Sequence, residues 1–261
     1  MPHSEIRLLL CDFDGVISPG STEALCDACY RVIRQYRPLP EPVFRQLFRT
    51  LVPFPLQHSL HFLLESMGLG SHRGELLHAL LGVGHGPLVH QALLRHCQQQ
   101  GIDFRVLSSS YGEDPKFAAL RAELGNERLL ADGRFSKVNP LDFAALLSRL
   151  DVAADEVLYL DDCPLALLTA QQLGIRTLHV RNAIFDQVQY QAVQGFVPYS
   201  VGSLDEVVTL LTQWPDSPSA VKPLTPGGYV PNVMLVEARF SGWGLCYGLH
   251  HLIRLTHKEV S

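Results

Sequence analysis

Two aspartates separated by one residue stand at the end of an apolar segment. Residues 8–16 read LLLCDFDGV, so Asp12 directly follows an apolar run of three leucines and a cysteine, and Asp14 comes two residues later. Carboxylates normally lie in solvent, so a pair that ends a segment with the composition of a buried strand indicates a chemical role. A carboxylate at the end of a strand can attack phosphorus and form an aspartyl-phosphate intermediate. Such an attack needs the phosphoryl charge to be neutralised, commonly by a divalent cation.

The residue after the second aspartate is a glycine, which affects where Asp14 can reach. Side chains two residues apart point the same way only while the chain stays extended. Gly15 permits a turn at this point because it has no Cβ atom. We therefore expect Asp14 to reach the leaving-group oxygen, where it would act as a general acid and later activate water.

A second pair of aspartates follows another apolar segment, in the stretch EVLYLDDC. Four carboxylates brought together would repel one another strongly unless a cation lay between them. Mg²⁺ suits such a site because it prefers oxygen ligands from carboxylates, water and phosphate. The two pairs together therefore predict a Mg²⁺ site. Its candidate ligands are Asp12, Asp14, Asp161 and Asp162.

Phosphate-binding groups are expected near the two acidic pairs. Ser108 ends the segment FRVLS and Ser109 follows it, and both offer hydroxyl and amide donors for phosphate oxygens, whereas Ser110 is expected to be a turn residue. A lysine would add a compact positive charge for the phosphoryl group. Lys137, in FSKVNPLDF, stands just before a predicted helix and is the first candidate. Lys116, in EDPKF, is the second.

Short apolar segments alternate with helical patterns along most of the chain. The apolar segments cover residues 6–11, 104–108, 156–160 and 175–180, and polar residues follow each of them. Their unbroken apolar character is typical of parallel strands covered on both faces. The alternation predicts a doubly wound, Rossmann-like α/β parallel sheet, whose ligand site lies beyond the carboxyl ends of the strands. We therefore expect the polar clusters to meet at that edge.

Residues 17–90 interrupt this alternation with helical patterns that are separated by Pro- and Gly-containing breaks. Because this segment follows the first strand directly, it would stand over that strand's carboxyl end and could act as a lid. We therefore predict an α/β core from residues 1–16 and 91–214 and an all-helical insertion over 17–90. Residues 215–261, rich in Pro and Gly and then apolar, are predicted to pack on the core or to join two copies as a homodimer.

Composition and charge restrict the classes of partner. The chain has 261 residues, of which 47% are hydrophobic, so it can bury a large core. The formal net charge of −5 and the lack of a basic stripe argue against nucleic acid as a main partner. No secretory signal pattern opens the sequence, and no apolar run approaches the ~20 residues that cross a bilayer. We expect a cytoplasmic protein with reduced cysteines that binds neither nucleic acid nor membrane.

The polar clusters resemble, in order, the four motifs of the haloacid dehalogenase-like (HAD) superfamily of hydrolases. The first motif, Asp-x-Asp-Gly after an apolar strand, is matched by CDFDGV, and the second, a Ser or Thr, by Ser108 in RVLS. The third, a lysine commonly followed by Pro-x-Pro, is matched by Lys137 in KVNP, with valine in place of the first proline. The fourth, an acidic pair after an apolar strand, is matched by YLDDCPLALLTAQQLGI. The order and spacing agree over residues 6–214, and four motifs in order are a specific signal.

The resemblance implies a role for each matched residue. Asp12 would be the nucleophile and a Mg²⁺ ligand. Asp14 would be the acid and base, and its backbone carbonyl would be a second ligand. Ser108 and Lys137 would hold the phosphoryl group.

The resemblance also extends to the fourth motif and to the insertion. Asp162 aligns with the main metal ligand of that motif, and Asp161 would assist it directly or through water. The helical insertion resembles the cap of the C1 subclass, which closes over the site and largely sets substrate choice.

The family contains activities other than phosphate hydrolysis. Its dehalogenases generally lack the second aspartate and do not need Mg²⁺, so Asp14 favours phosphoryl chemistry. Its phosphomutases keep both aspartates and form the same intermediate, so the motifs leave that activity open. A third alternative is a HAD-like domain with a mainly protein-interaction role in a biosynthetic system. The expected function is a Mg²⁺-dependent phosphatase that acts on a small phosphorylated metabolite through an aspartyl-phosphate intermediate.

Overall fold

Six parallel strands form a sheet at the centre of the computed structural model, which describes residues 5–51, 54, 56–83, 85–185, 195, 197 and 199–212. In chain order they are β1 (Leu8–Asp12), β2 (Asp103–Ser108), β3 (Leu129–Ala131), β4 (Val157–Asp161), β5 (Arg176–Val180) and β6 (Ser200–Val201). They pair in the order β3-β2-β1-β4-β5-β6. The predicted α/β parallel sheet is therefore confirmed. The two short strands β3 and β6 at its edges have too few residues to show a periodicity.

The register of the central strands brings their carboxyl ends to one edge. β1 lies between β2 and β4, with Asp12 opposite Leu107 and Cys11 opposite Leu160. Ser108 and Asp161, which end β2 and β4, therefore lie on either side of the end of β1. The strand order also reverses at β1, which is the topological switch point where ligands bind in open α/β sheets.

Nine helices are described outside the sheet. In chain order they are α1 (Ser21–Tyr36), α2 (Glu41–Leu51), α3 (Leu56–Ser66), α4 (Arg73–Leu81), α5 (Gln91–Gln100), α6 (Ala118–Leu124), α7 (Pro140–Leu150), α8 (Pro164–Gln172) and α9 (Leu204–Thr212). The first four lie within residues 17–90, and we call them the helical insertion. The structure describes no strand between β1 and α5 within the residues it covers.

The two faces of the sheet are covered by different helices, as the alternation of side chains along a strand requires. Leu8 and Leu10 of β1 join an apolar cluster with residues of α7, α8 and the helical insertion. Leu9 and Cys11 join a second cluster with residues of α5, α6 and α9. All five residues of β1 are buried, which explains why this strand has no polar side chain before Asp12.

The predicted extension over 215–261 lies outside the described residues. Of the helices that the structure does describe, none combines the length and the apolar character needed to cross a bilayer.

Candidate active site

The side-chain carboxylates of three of the four candidate metal ligands meet at the carboxyl edge of the sheet. Asp12 ends β1 and is 4% exposed, while Asp161 ends β4 and Asp162 follows it. One carboxylate oxygen from each of these residues lies within 4.8 Å of the others. Buried oxygens at such separations form a donor set that suits a hard divalent cation.

Lys137 lies among these carboxylates. Its Nζ atom contacts Asp12 Oδ1 and lies 2.9 Å from Asp161 Oδ2. Two residues beyond it, Asn139 caps the N-terminus of α7, where its side chain accepts a hydrogen bond from the amide of Leu141. Burial alone would lower the pKa of Lys137, but Asp12 and Asp161 raise it above its ordinary value, so the ammonium group stays charged.

The acidic residues outnumber the positive charges that face them. Burial raises the pKa of Asp12 to about 7, although the charge of Lys137 lowers it. Burial and the neighbouring Asp161 raise the pKa of Asp162 well above its ordinary value. Among the described residues, two lysines face four aspartates, so one divalent cation would balance the remaining charge.

Asp14 stands apart from the other three carboxylates and pairs with Lys116. The Nζ atom of Lys116 contacts Asp14 Oδ2 and lies 2.8 Å from Ser110 Oγ. The Lys116 side chain is only 3% exposed. The other oxygen, Asp14 Oδ1, is buried and has no hydrogen-bond partner within the described part of the chain. The two lysines that the sequence offered as alternatives therefore both contact candidate site residues. Lys137 pairs with Asp12, and Lys116 pairs with Asp14.

The serines after β2 line the same cavity. Ser108 is buried, and its Oγ atom accepts a hydrogen bond from the amide of Ser110 at 3.2 Å. Ser109 Oγ is buried without a hydrogen-bond partner among the residues that the structure covers. It is therefore available to a ligand oxygen, as is Asp14 Oδ1. Ser110, expected to be only a turn residue, also supports Lys116.

The turn after Asp14 approaches the acidic pair very closely. Gly15 has a φ of +82°, and a Cβ atom added there would lie 1.9 Å from Asp162 Oδ2 and 2.7 Å from Thr22 Oγ1. Its amide donates a hydrogen bond to Ser21 Oγ at 3.0 Å. Only glycine fits this position, since both the backbone angle and the space exclude a side chain.

Two residues that sequence reasoning missed hold Asp162. Thr22 Oγ1, in the first turn of α1, donates a hydrogen bond to Asp162 Oδ2 at 3.1 Å, and Asn182 Nδ2 donates to the same oxygen. Thr22 carries no motif that would single it out. Asn182 could have been found, because it follows β5 at the edge where the other polar residues were expected to meet.

Asp161 is more fully occupied than Asp162. Its Oδ2 atom accepts hydrogen bonds from Lys137 and from the hydroxyl of Tyr159, while its Oδ1 atom accepts one from the amide of Cys163 at 2.7 Å. Both of its oxygens are therefore already used by the protein. This arrangement favours Asp162 over Asp161 as the more available ligand of the pair.

A cavity of about 110 Å³ opens above these groups. Its floor carries the aspartates, the serines and Lys137, and the helical insertion supplies much of its remaining wall. That wall is mostly apolar. It includes Leu25, Phe48, Leu51, Leu60, Leu63 and Leu80.

Comparison with solved structures shows what this architecture is similar to. A protein described as a haloacid dehalogenase-like hydrolase from Bacteroides fragilis has a TM-score of 0.59 and 19% identity, over 78% of this chain and 100% of that one. One described as a beta-phosphoglucomutase from Thermotoga maritima has a TM-score of 0.55 and 18% identity, over 80% and 100%. The L-2-haloacid dehalogenase from Xanthobacter autotrophicus has a TM-score of 0.51 and 16% identity, over 80% and 100%. No protein-family model matches the sequence, and neither does any curated protein.

Proposed function

Since the chain has the fold of the haloacid dehalogenase-like hydrolases, we propose that it is a Mg²⁺-dependent phosphatase that hydrolyses a small phosphate monoester. The observation that carries the proposal is the position of Asp12. This carboxylate ends the central strand at the switch point, beside Lys137 and among the acidic residues at the floor of the cavity. Asp14 favours phosphate hydrolysis over carbon–halogen cleavage, because it adds a second carboxyl group that can transfer protons.

The proposed reaction has two displacements at phosphorus. In the first, an oxygen of Asp12 bonds to phosphorus while the bond to the leaving oxygen breaks, and Asp14 gives that oxygen a proton. In the second, Asp14 takes a proton from water, whose oxygen displaces Asp12 and releases inorganic phosphate. In this proposal, Lys137 and Ser108 bind the phosphoryl oxygens. Lys116 holds one oxygen of Asp14 and so orients the other oxygen, which has no partner among the described residues, for proton transfer.

The candidate ligands fit Mg²⁺, because carboxylate oxygens are among the ligands that this ion prefers. Asp12 and Asp162 would hold the ion, with Asp161 beside them. When bound, the ion would neutralise charge on the phosphoryl group during the transfer. Thr22 and Asn182 would fix the carboxylate of Asp162 in the orientation that ligation needs.

Metal dependence is the first test of the proposal. The purified protein is expected to release phosphate from p-nitrophenyl phosphate, or from members of a panel of phosphate monoesters, in the presence of Mg²⁺. EDTA should abolish this release, and excess Mg²⁺ should restore it. A failure to hydrolyse every ester would contradict the proposal. Chloride release from 2-chloropropionate without added metal would instead support a dehalogenase.

Thr22→Val provides a test of how Asp162 is held. Valine keeps the shape of the buried threonine but removes the donor to Asp162 Oδ2, so the Mg²⁺ concentration for half-maximal activity should rise about 10–100-fold. The matched control is Thr169→Val. Thr169 is also buried, and among the described residues its hydroxyl donates to the carbonyl of Leu165 in α8 alone. An unchanged Mg²⁺ requirement in Thr22→Val would mean that Asp162 does not depend on this hydrogen bond.

The alternatives to a phosphatase have less support. A phosphomutase would interconvert isomeric sugar phosphates and release little inorganic phosphate, and a structural neighbour is described as a beta-phosphoglucomutase. The mostly apolar wall of the cavity offers sugar hydroxyls few partners. A mainly protein-interaction role rests on residues 215–261, which lie outside the described residues. The homodimer through that segment and the cytoplasmic location stay predictions.

A further inference from the structure

Charge and hydrogen-bonding groups are distributed unevenly in the cavity. Every charged residue among those described as lining it belongs to the floor, at the ends of β1 and β4 or beside them. The opposite wall is built from leucine and phenylalanine side chains of the helical insertion, together with Cys29 and Phe185. A phosphate monoester bound with its phosphoryl group on the floor would therefore place its leaving group against hydrocarbon.

The two hydroxyl groups on this part of the wall already have partners. Ser59 Oγ donates a hydrogen bond to the carbonyl of Leu51 at 2.7 Å. Thr22 Oγ1 donates to Asp162 Oδ2 at 3.1 Å. A hydroxylated leaving group would lose its bound water in this cavity and find few replacement partners among the described residues, and this loss opposes binding.

We propose that the substrate is a phosphate monoester of a short alkyl alcohol rather than of a sugar or polyol. This inference rests on the proposed phosphatase function. The volume of the cavity limits the length of the hydrocarbon part. An apolar protein cavity of about 150 Å³ holds one benzene molecule, and the phosphoryl group on the floor would fill part of the 110 Å³ here, so the remaining space suits a leaving group of a few carbon atoms.

Propyl phosphate and glycerol 1-phosphate are a matched pair of probes, because they share a three-carbon skeleton and differ by two hydroxyl groups. With Mg²⁺, kcat/KM for propyl phosphate is expected to exceed that for glycerol 1-phosphate by about tenfold or more. Equal values, or a preference for glycerol 1-phosphate, would overturn the inference and leave the phosphatase function standing.

A binding measurement separates this inference from the proposed function. Propylphosphonate and 2,3-dihydroxypropylphosphonate resist hydrolysis, and calorimetry in the presence of Mg²⁺ can compare their affinities. Tighter binding of propylphosphonate would support an apolar leaving-group site even if no ester, p-nitrophenyl phosphate included, were hydrolysed. Equal or weaker binding would overturn the site independently of activity.

Two neighbouring leucines of α4 allow the wall itself to be tested. Leu80 lines the cavity and is 8% exposed, whereas Leu81 is 58% exposed and does not line it. Leu80→Gln should reduce the preference for propyl phosphate by about tenfold, and Leu81→Gln should leave it unchanged. If Leu80→Gln fails to fold, Cys29→Ser gives a nearly isosteric polar change in the wall, with Cys26→Ser on the same helix as its control. If a folded Leu80→Gln or Cys29→Ser variant kept the full preference for propyl phosphate over glycerol 1-phosphate, the proposal would be overturned.

Discussion

Asp12→Asn is expected to lower kcat/KM for phosphate release by about 10⁴-fold or more while the protein stays folded. Asparagine has nearly the shape of aspartate, but its amide is a poor nucleophile and cannot form the aspartyl-phosphate. Lys137 would still have Asp161 as a partner at 2.9 Å, so no buried ammonium group is left alone. The measurement is a steady-state assay with Mg²⁺, combined with circular dichroism and thermal unfolding.

Thermal unfolding provides a second readout for the same variant. The pKa of Asp12 is raised by burial to about 7, so its ionised form destabilises the metal-free folded state as the pH rises from about 4 toward 7. Removing that charge should therefore keep or raise the Tm of metal-free protein at neutral pH. Asp103→Asn is the matched control, because Asp103 lies at the opposite end of neighbouring β2. Activity that survived in Asp12→Asn would show that Asp12 is not the nucleophile.

Gly15→Ala is expected to remove the activity by displacing side chains of the site, although it removes no reacting group. A Cβ atom at this position would overlap Asp162 Oδ2 and press on Thr22 Oγ1, so the turn and the carboxylate cannot both keep their places. Displacements of about 1 Å in such sites cost about 100-fold or more in rate. We also expect weaker Mg²⁺ binding, which calorimetry can measure.

Gly20→Ala is the control that separates this overlap from backbone strain. Gly20 has a φ of +78°, nearly that of Gly15, but a Cβ atom there meets nothing within 4 Å. It should lose about 1 kcal/mol of stability from the left-handed conformation and keep its activity. If the two variants lost activity equally, backbone strain at a positive φ after β1 would explain the effect. The close approach of Gly15 to Asp162 would then not be its cause.

The parallel sheet and the meeting of polar residues at its edge could be predicted, because both depend on simple periodic patterns. The unbroken apolar character of residues 8–11 and 157–160 reflects burial on both faces of the sheet. In contrast, β3 and β6 are set by pairing with longer neighbours, and a segment of two or three residues carries no periodicity of its own.

Site residues that belong to a recognisable sequence pattern could be predicted. Site residues that belong to no such pattern were missed. Asp12, Asp161 and Lys137 come together as expected. The contacts of Thr22 and Asn182 with Asp162 depend on how the first turn of α1 and the end of β5 are placed in space. The pairing of Lys116 with Asp14 likewise depends on the path of the loop after β2, which local patterns do not determine.

The order of the strands has a consequence for how the chain folds during synthesis. β1 leaves the ribosome first, yet its two partners, β2 and β4, begin only at Asp103 and Val157. Pairings between such distant segments form slowly, and an unpaired apolar strand is prone to aggregate. One edge of β1 therefore stays unpaired in the nascent chain until the segment that contains β4 has been made. Protection of β1 over that interval by the growing helical insertion or by a chaperone would decide how much of the protein reaches its native state.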